Sequence, residues 1–337
     1  MLSRLRLPVV CLALAVLLTG ISCNNSAQPK GTAATGGNEQ DGTAKLRIAM
    51  IPKGTQASFW TSVHNGAKRA AEEFDVDLIW KGPPEDNDRD GQIQTVQQFI
   101  TDRVDGIALA PLDSKALIRP VKSAGEQKIP VVIFDSALDV ETSKAGEDYI
   151  SFAATNNLQG GNLGGAHLAK IIGDGGKVLV FRHQVGHAST TKREEGALQA
   201  INEANVEIVS DNQYGGPDTS SSMEKASAMV DTIKQADGIF ASNQTASEGM
   251  LLALRQLDLA GKVKFVGFDS SPLLIDGLAK GEVDALVVQN PDLMGYTSVK
   301  LLVQHLRGQE VPAEVDTGVA VATPENMNDA EIAPLLK

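Results

Sequence analysis

From Leu46 onward the chain repeats one pattern: a short apolar run, then a longer stretch with apolar residues every three or four positions. The runs are LRIAMI (46–51), DLIW (77–80), GIALA (106–110), PVVIFD (130–135), KVLVF (177–181), VEIVS (206–210), GIFAS (238–242), VKFVGFD (263–269) and ALVVQN (285–290). They are continuous rather than alternating, as strands covered on both faces read. Helical spacing fills the gaps. Trp60 to Phe74 carries Ala67, Ala70 and Ala71 for close packing, and Gln92 to Val104 carries Ile93, Val96 and Ile100. Further helices are expected over 115–127, 158–172, 191–204, 221–236, 246–259, 272–280 and 293–307. Strand and helix alternating over this length predict an α/β fold, with parallel sheets covered by helices on both faces. A chain of 337 residues carries a prior of about two domains. Two sheets of about five strands therefore fit better than one large sheet.

Ahead of Leu46 the pattern is absent. Arg4 and Arg6 precede the apolar run PVVCLALAVLL (8–18), which is too short for an ordinary membrane span and is followed by TGISC ending at Cys23. This is the layout of an export signal over residues 1–22. It resembles a bacterial lipoprotein signal with Cys23 as the lipidated residue, although Gly20 stands where Leu is usual. Ordinary cleavage leaving Cys23 as a free thiol is the alternative. The chain has 2 cysteines, Cys11 and Cys23, so the exported domain is expected to form no internal disulfide and no cysteine metal site. Residues 24–45 are small, polar and Gly-rich; with Cys23 they read as a tether with a coil span of about 25 Å. The net charge of −12 argues against a nucleic-acid partner, which would meet a basic face.

Ligands of open α/β sheets bind outside the carboxyl ends of the strands. The residues that follow each apolar run are thus the candidate chemistry. They are Lys53, Phe59 and Trp60 after the first run, then Asp135 with Ser136, Asn243, Asp269, and Gln289 with Asn290. Carboxylates and planar amide or guanidinium groups bind adjacent hydroxyls in pairs. An aromatic ring covers the C–H face of a sugar. Aromatics make up only 4% of the chain, so the adjacent Phe59 and Trp60 stand out. The set suits a small polyol.

The same segments resemble the ribose-type periplasmic sugar-binding proteins, the receptor subunits of ABC importers. The resemblance runs from about Leu46 to Val321. It rests on IAMIPKGTQASFW, PVVIFDS, TNNLQGG, KREEG, IFASNQTASEGMLLAL, VGFDSSP and VVQNPDLMG, seven segments in family order. It implies two Rossmann-like lobes joined by a three-strand hinge, with the ligand cleft between them. One lobe would be 46–155 plus 290–317, the other 156–289 plus 318–337. It implies that Phe59 and Trp60 pack on the sugar ring, and that Asp135, Asn157, Arg193, Asn243, Asp269 and Gln289 bind its hydroxyls. It further implies a monomer in the periplasm, with a monosaccharide ligand, a membrane permease as partner and no cofactor. Two positions depart from the family's ribose binders: Ser136 replaces an arginine, and Lys53 replaces a small hydroxyl residue. Lys53 with FDS also resembles receptors for the furanosyl signal autoinducer-2, so a signal receptor or chemotactic sugar receptor is the alternative.

Each candidate has a plainer competing role. Asp135 and Asp269 are good turn and cap residues. Phe59 and Trp60 suit a core, although adjacent aromatics on a helix do not easily both face inward. Lys53 suits a salt bridge that closes a cleft, Arg193 a surface pair with Glu194 or Glu195, and Gln289 a turn. His183 and His187 have zinc-like spacing, but Gly186 intervenes and no HExxH glutamate is present, so a loop is expected, with His187 available to a cleft. GGNLGG (160–165) lacks the rest of a phosphate loop and is expected to pack a helix end against the other lobe. EDNDRD (85–90) lacks calcium-loop spacing and reads as an acidic helix N-terminus. An enzyme would need a nucleophile elbow or a paired acid and base; no GxSxG occurs, which leaves Asp135 and Asp269 as the one candidate pair, and a binding protein is expected. A sugar-responsive transcription regulator shares the fold, but signal and tether occupy the place of its DNA-binding head.

Overall fold

A computed structural model of the chain describes residues 45–336. The expected signal, Cys23 and nearly all of the tether lie outside the described residues. The first sheet takes β1 (Arg47–Ile51), β2 (Asp77–Trp80), β3 (Gly106–Leu109), β4 (Val131–Phe134) and β5 (Ser151–Ala154), interleaved with α1 (Ser58–Phe74), α2 (Arg89–Thr101) and α3 (Ile118–Glu126). The chain then passes to α4 (Asn157–Ile172), β6 (Lys177–Arg182), α5 (Ala188–Glu203), β7 (Glu207–Tyr214), α6 (Thr219–Ala228), α7 (Val230–Ile233), β8 (Gly238–Ala241), α8 (Gln244–Gln256), β9 (Lys264–Phe268), α9 (Pro272–Ala279) and β10 (Ala285–Gln289). It returns through α10 (Pro291–Leu306) to β11 (Glu314–Asp316), then crosses to β12 (Val319–Ala322).

Each sheet has 6 strands, ordered β11-β5-β4-β3-β1-β2 and β12-β10-β9-β8-β6-β7. The second order repeats the first, so β4 and β9 hold equivalent places. The expectation of about five strands per sheet is corrected by β5, β11 and β12. Each is three or four residues long and built mostly of small or polar residues (SFAA, EVD and VAVA), without the bulky apolar run that marks the others. The sheets are also not wholly parallel, because β12 runs antiparallel to β10. The central strands β3, β4, β6 and β8 are buried on both faces almost throughout, which is why their sequences run continuously apolar.

Three crossings join the two halves: Thr155–Asn156 after β5, Asn290 after β10, and Thr317–Gly318 between β11 and β12. Asn156 and Asn290 each cap the helix that follows, accepting from Gln159 N–H at 3.1 Å and Leu293 N–H at 3.0 Å. The Thr155 hydroxyl donates to the Gly318 carbonyl at 3.0 Å, so two crossings are tied to each other. Gly318 has φ 83°, a conformation that favours glycine.

The glycines of 160–165 do not touch the first sheet, contrary to expectation. Gly161 and Gly165 let α4 lie directly on the α5 backbone, while Gly160 and Gly164 face Phe268 and Phe240 beneath. The small-residue face serves helix and sheet packing on its own side. A Cβ at Gly161 would run into the Arg193 carbonyl. Gly161→Ala is therefore expected to cost about 1–3 kcal/mol through overpacking, read as a lower urea midpoint. An unchanged midpoint would show that α4 and α5 are free to separate.

Candidate functional site

The site is built by equivalent kinks. Asp135 follows β4 and Asp269 follows β9, and both take left-handed backbone angles, φ 60° and 69°, a region Asp enters more readily than bulkier residues. Asp135 N–H donates to the Ala153 carbonyl at 3.1 Å, and Asp269 N–H to Val287 at 2.7 Å, so each kink is fastened to the neighbouring strand. The two carboxylates then line a single cavity together with Lys53, Phe59, Trp60, Arg193, Asn243 and Gln289.

Ser136 and Asn157 do not line that cavity; they stand behind it. The Ser136 hydroxyl accepts from Ser189 N–H at 3.1 Å. Asn157 Oδ1 accepts from Arg193 Nε at 2.7 Å, and its Nδ2 donates to the Asp135 carbonyl at 3.3 Å. Asn157 thus ties the arginine of one half to the carboxylate turn of the other. Asn243 lines the cavity while capping α8, accepting from Ala246 N–H at 3.1 Å. Phe59 and Trp60 both reach the cavity and both pack into the first sheet's core, edge to face at 4.9 Å between centroids. The expectation that adjacent aromatics cannot both turn inward is corrected: α1 starts at the cleft rim, where core and cavity wall meet.

Two ion pairs line the cavity, one on each side. Lys53 Nζ lies 2.6 Å from Asp135 Oδ2 and donates to the Ser189 hydroxyl at 3.0 Å. Lys53 and Asp135 are each 3% exposed. Arg193 does not pair with Glu194 or Glu195. It reaches Asp269 at 3.7 Å and lies over Phe268, 4.0 Å from the ring centroid, while Glu194 goes to Arg182 at 3.1 Å. Gln289 Nε2 donates to Asp269 Oδ1 at 2.6 Å. Burial pushes the Asp269 carboxyl above its ordinary range, against the pull of Arg193 and the Gln289 hydrogen bond.

The sequence reading missed Asp86, Ser189, Thr190, Gln244 and Thr245, and placed His183 in a loop; all six line the cavity. Asp88 caps α2 as expected of the acidic run, accepting from Gly91 N–H at 2.8 Å. Asp86 instead turns inward and accepts from Trp60 Nε1 at 3.2 Å. Burial pushes its carboxyl up to about 6, with Lys53 opposing. Burial, aided by the Lys53 and Arg193 charges, pushes His183 down to about 3. His187 is lowered too, first by burial. Both imidazoles therefore act as neutral hydrogen-bonding groups. Among the described residues no cluster of three or more His, Cys, Asp or Glu side chains is placed to hold a metal ion.

The enclosed space is about 40 Å³, room for a few waters at roughly 10–15 Å³ each. Gln244 Oε1 accepts from Phe59 N–H at 3.1 Å, and Gln184 Nε2 donates to the Asp86 carbonyl at 3.0 Å, so the rims are latched across the cleft. A larger guest does not fit this space without displacing contacts that the lining groups make with one another.

Two sheets of like order, three crossings and a polar cavity between their carboxyl ends define a hinged solute-binding protein. The chain belongs to the periplasmic binding protein family, whose domain profile matches residues 48–310. A D-ribose/D-allose-binding protein of Pseudomonas aeruginosa is 30% identical over 285 residues, 83% of this chain and 89% of that protein. A carbohydrate transporter solute binding protein from Agrobacterium radiobacter, solved with D-arabinose, superposes with a TM-score of 0.82 at 29% identity, covering 88% of this chain and 100% of that one. An ABC transporter solute binding protein from Agrobacterium vitis, solved with D-fucose, gives 0.80 at 31% identity, covering 86% and 100%. The chain is thus one of the sugar-binding solute-binding proteins of ABC transporters, a periplasmic family. No helix among the described residues is long and apolar enough to cross a membrane.

Asp135→Ala leaves Lys53 buried without its counter-charge and is expected to cost about 3–5 kcal/mol, whereas Lys53→Met with Asp135→Leu restores most of that loss. Urea unfolding of the three proteins checks this; equal losses in single and double variants would contradict it. The titrations have opposite signs. Between about pH 3 and pH 6.5 the unfolded chain binds a proton that folded His183 refuses, so this residue lowers stability as pH falls. Between pH 3.8 and about 6 folded Asp86 holds a proton that the unfolded chain releases, so it raises stability as pH falls. Relative to wild type, His183→Gln should flatten the acid loss of stability between pH 6.5 and 4.5, and Asp86→Asn should steepen it. Unfolding midpoints at three pH values give the slopes, and parallel slopes would refute the assignment.

Proposed function

We propose that this chain is an extracytoplasmic lipoprotein that captures a monosaccharide (a pentose, hexose or deoxysugar) between two closing lobes and delivers it to an ABC transporter permease. The lobes are 46–155 with 290–317 and 156–289 with 318–337. The observation that carries this reading is the convergence, on one cavity, of two equivalent strand-end carboxylates, an arginine, two amides and an aromatic pair. Such a ring suits adjacent hydroxyls and the apolar face of a sugar. Relatives named for ribose and allose, and solved neighbours holding arabinose and fucose, support the same class. Lipidation at Cys23 and the tether to residue 45 would hold the monomeric domain at the membrane.

The sugar acts by bridging the halves. It must interact more strongly with the closed arrangement than with the open one, or closure does not shift. A second reading, a receptor for a furanosyl signal of the autoinducer-2 kind, is favoured by Lys53 beside Asp135.

A thermal-shift panel of pentoses, hexoses, deoxysugars and autoinducer-2 tests both. One monosaccharide class should raise the melting temperature, by about 2.7 kcal/mol of stabilisation at a hundred times Kd, with no product formed. Asp269→Ala should remove the response. Turnover, or an undiminished response in that variant, would sink the assignment.

A further inference from the structure

The cavity's charges do not balance. Asp86, Asp135 and Asp269 line it, against Lys53 and Arg193. Both cations are committed, Lys53 to Asp135 at 2.6 Å and Arg193 to Asp269 at 3.7 Å. Among the described residues Asp86 has no such partner; its side chain receives only Trp60 Nε1 at 3.2 Å. Neither imidazole supplies the missing charge, since burial keeps both neutral.

Among the described residues, three hydrogen-bonding positions on the cavity are unfilled: two are acceptors with the same sense, and the third is His183 Nδ1. Gln289 Oε1 is an acceptor without a donor, in a residue 2% exposed. Asp135 Oδ2 faces Lys53 without a directed hydrogen bond. A hydroxyl brings an acceptor along with each donor, whereas an ammonium brings three donors and no acceptor. A hydroxyl also leaves a buried carboxylate uncompensated, and an ammonium neutralises it.

The approach to the cavity repeats the bias. A vestibule of about 530 Å³ shares Ala57, Asp86, Gln244 and Thr245 with it. Glu85, Asp218 and Glu248 complete its charged lining, and among the described residues no Lys or Arg does. A cleft lined by one sign of charge concentrates ions of the other.

We infer that the cleft takes a monosaccharide bearing a protonated amino group, its ammonium seated against Asp86 at the junction of cavity and vestibule. This rests on the sugar-binding reading above and narrows it. Asp86 is the specificity-determining residue: it selects amine over hydroxyl, and the surrounding acids repel sugar acids and sugar phosphates.

Titration calorimetry at pH 7 tests it with hexosamines carrying the nitrogen at C2, C3 or C6. Each is set beside its neutral parent sugar and its N-acetyl derivative, which keeps the nitrogen and loses the charge. At least one amine should bind about tenfold or more tightly than both counterparts, the scale of one added favourable contact. In Asp86→Asn, checked as folded by circular dichroism, the ratio of amine to parent Kd should fall towards one. Neutral sugars binding as tightly as every amine would overturn the inference and leave the sugar-binding reading standing; that comparison needs no variant. An amine preference that survives Asp86→Asn would also overturn it. If neither amines nor neutral sugars of the wider panel bind, the sugar-binding reading itself falls.

Discussion

Burying charge between two movable bodies is the constraint on which this structure depends. Lys53, Asp135, Arg193 and Asp269 are each 6% exposed or less, and each would be costly to bury alone. They are tolerable together because each has an oppositely charged partner in its own half, and Lys53 and the Asp135 turn gain further bonds from the other half. Lys53 bonds to Asp135 on its own side and to Ser189 on the other. Asn157 holds Arg193 and the Asp135 turn simultaneously. Each ion pair is complete within its own half, and the bonds between halves run through Ser189, Asn157 and Gln244.

The surrounding fold makes this pairing reproducible. Equivalent sheet orders place equivalent kinks opposite each other, so one structural device used twice yields facing carboxylates. Close glycine contact between α4 and α5 fixes the turn of helix that carries Arg193. Two of the three crossings hydrogen-bond to one another, which fixes their spacing where the chain passes between the sheets. Function here lies in relative placement, and the packed cores exist to keep that placement accurate.

Much of this was legible in the sequence, for identifiable reasons. Strands buried on both faces must be continuously apolar, so the nine runs located the sheet centres and, by the strand-end rule, Asp135, Asn243, Asp269 and Gln289. The strands beyond them, β5, β11 and β12, carry mostly small or polar residues instead and passed unread. Asp86 was hidden for a different reason. It lies in an acidic run whose neighbour Asp88 does cap a helix, and nothing local distinguishes a capping carboxylate from one turned inward beneath Trp60. Ser189, Thr190 and Gln244 were missed likewise, because they sit at helix starts, where polar residues are ordinary. Ser136 and Asn157 follow strands as ligand residues do, yet they support the lining from behind; distance from a strand end fixes a neighbourhood but not which atom faces the cavity.

The self-paired cleft also bears on affinity. A hydrogen bond from a sugar to Asp269 or to the Gln289 amide N–H competes with the bond these two already make to each other, so the ligand gains only the difference there. Strong selectivity then arises where the protein alone leaves a group unsatisfied, because only there does a guest add an interaction without removing one. Gln289 Oε1 is such a place, and the Asp86 carboxylate, which among the described residues receives a single hydrogen bond from Trp60 Nε1 and no ion pair, is close to one. Discrimination among sugars with nearly the same hydroxyl pattern is thus concentrated at a few acceptors, while the remaining ring of pairs sets how firmly the halves shut.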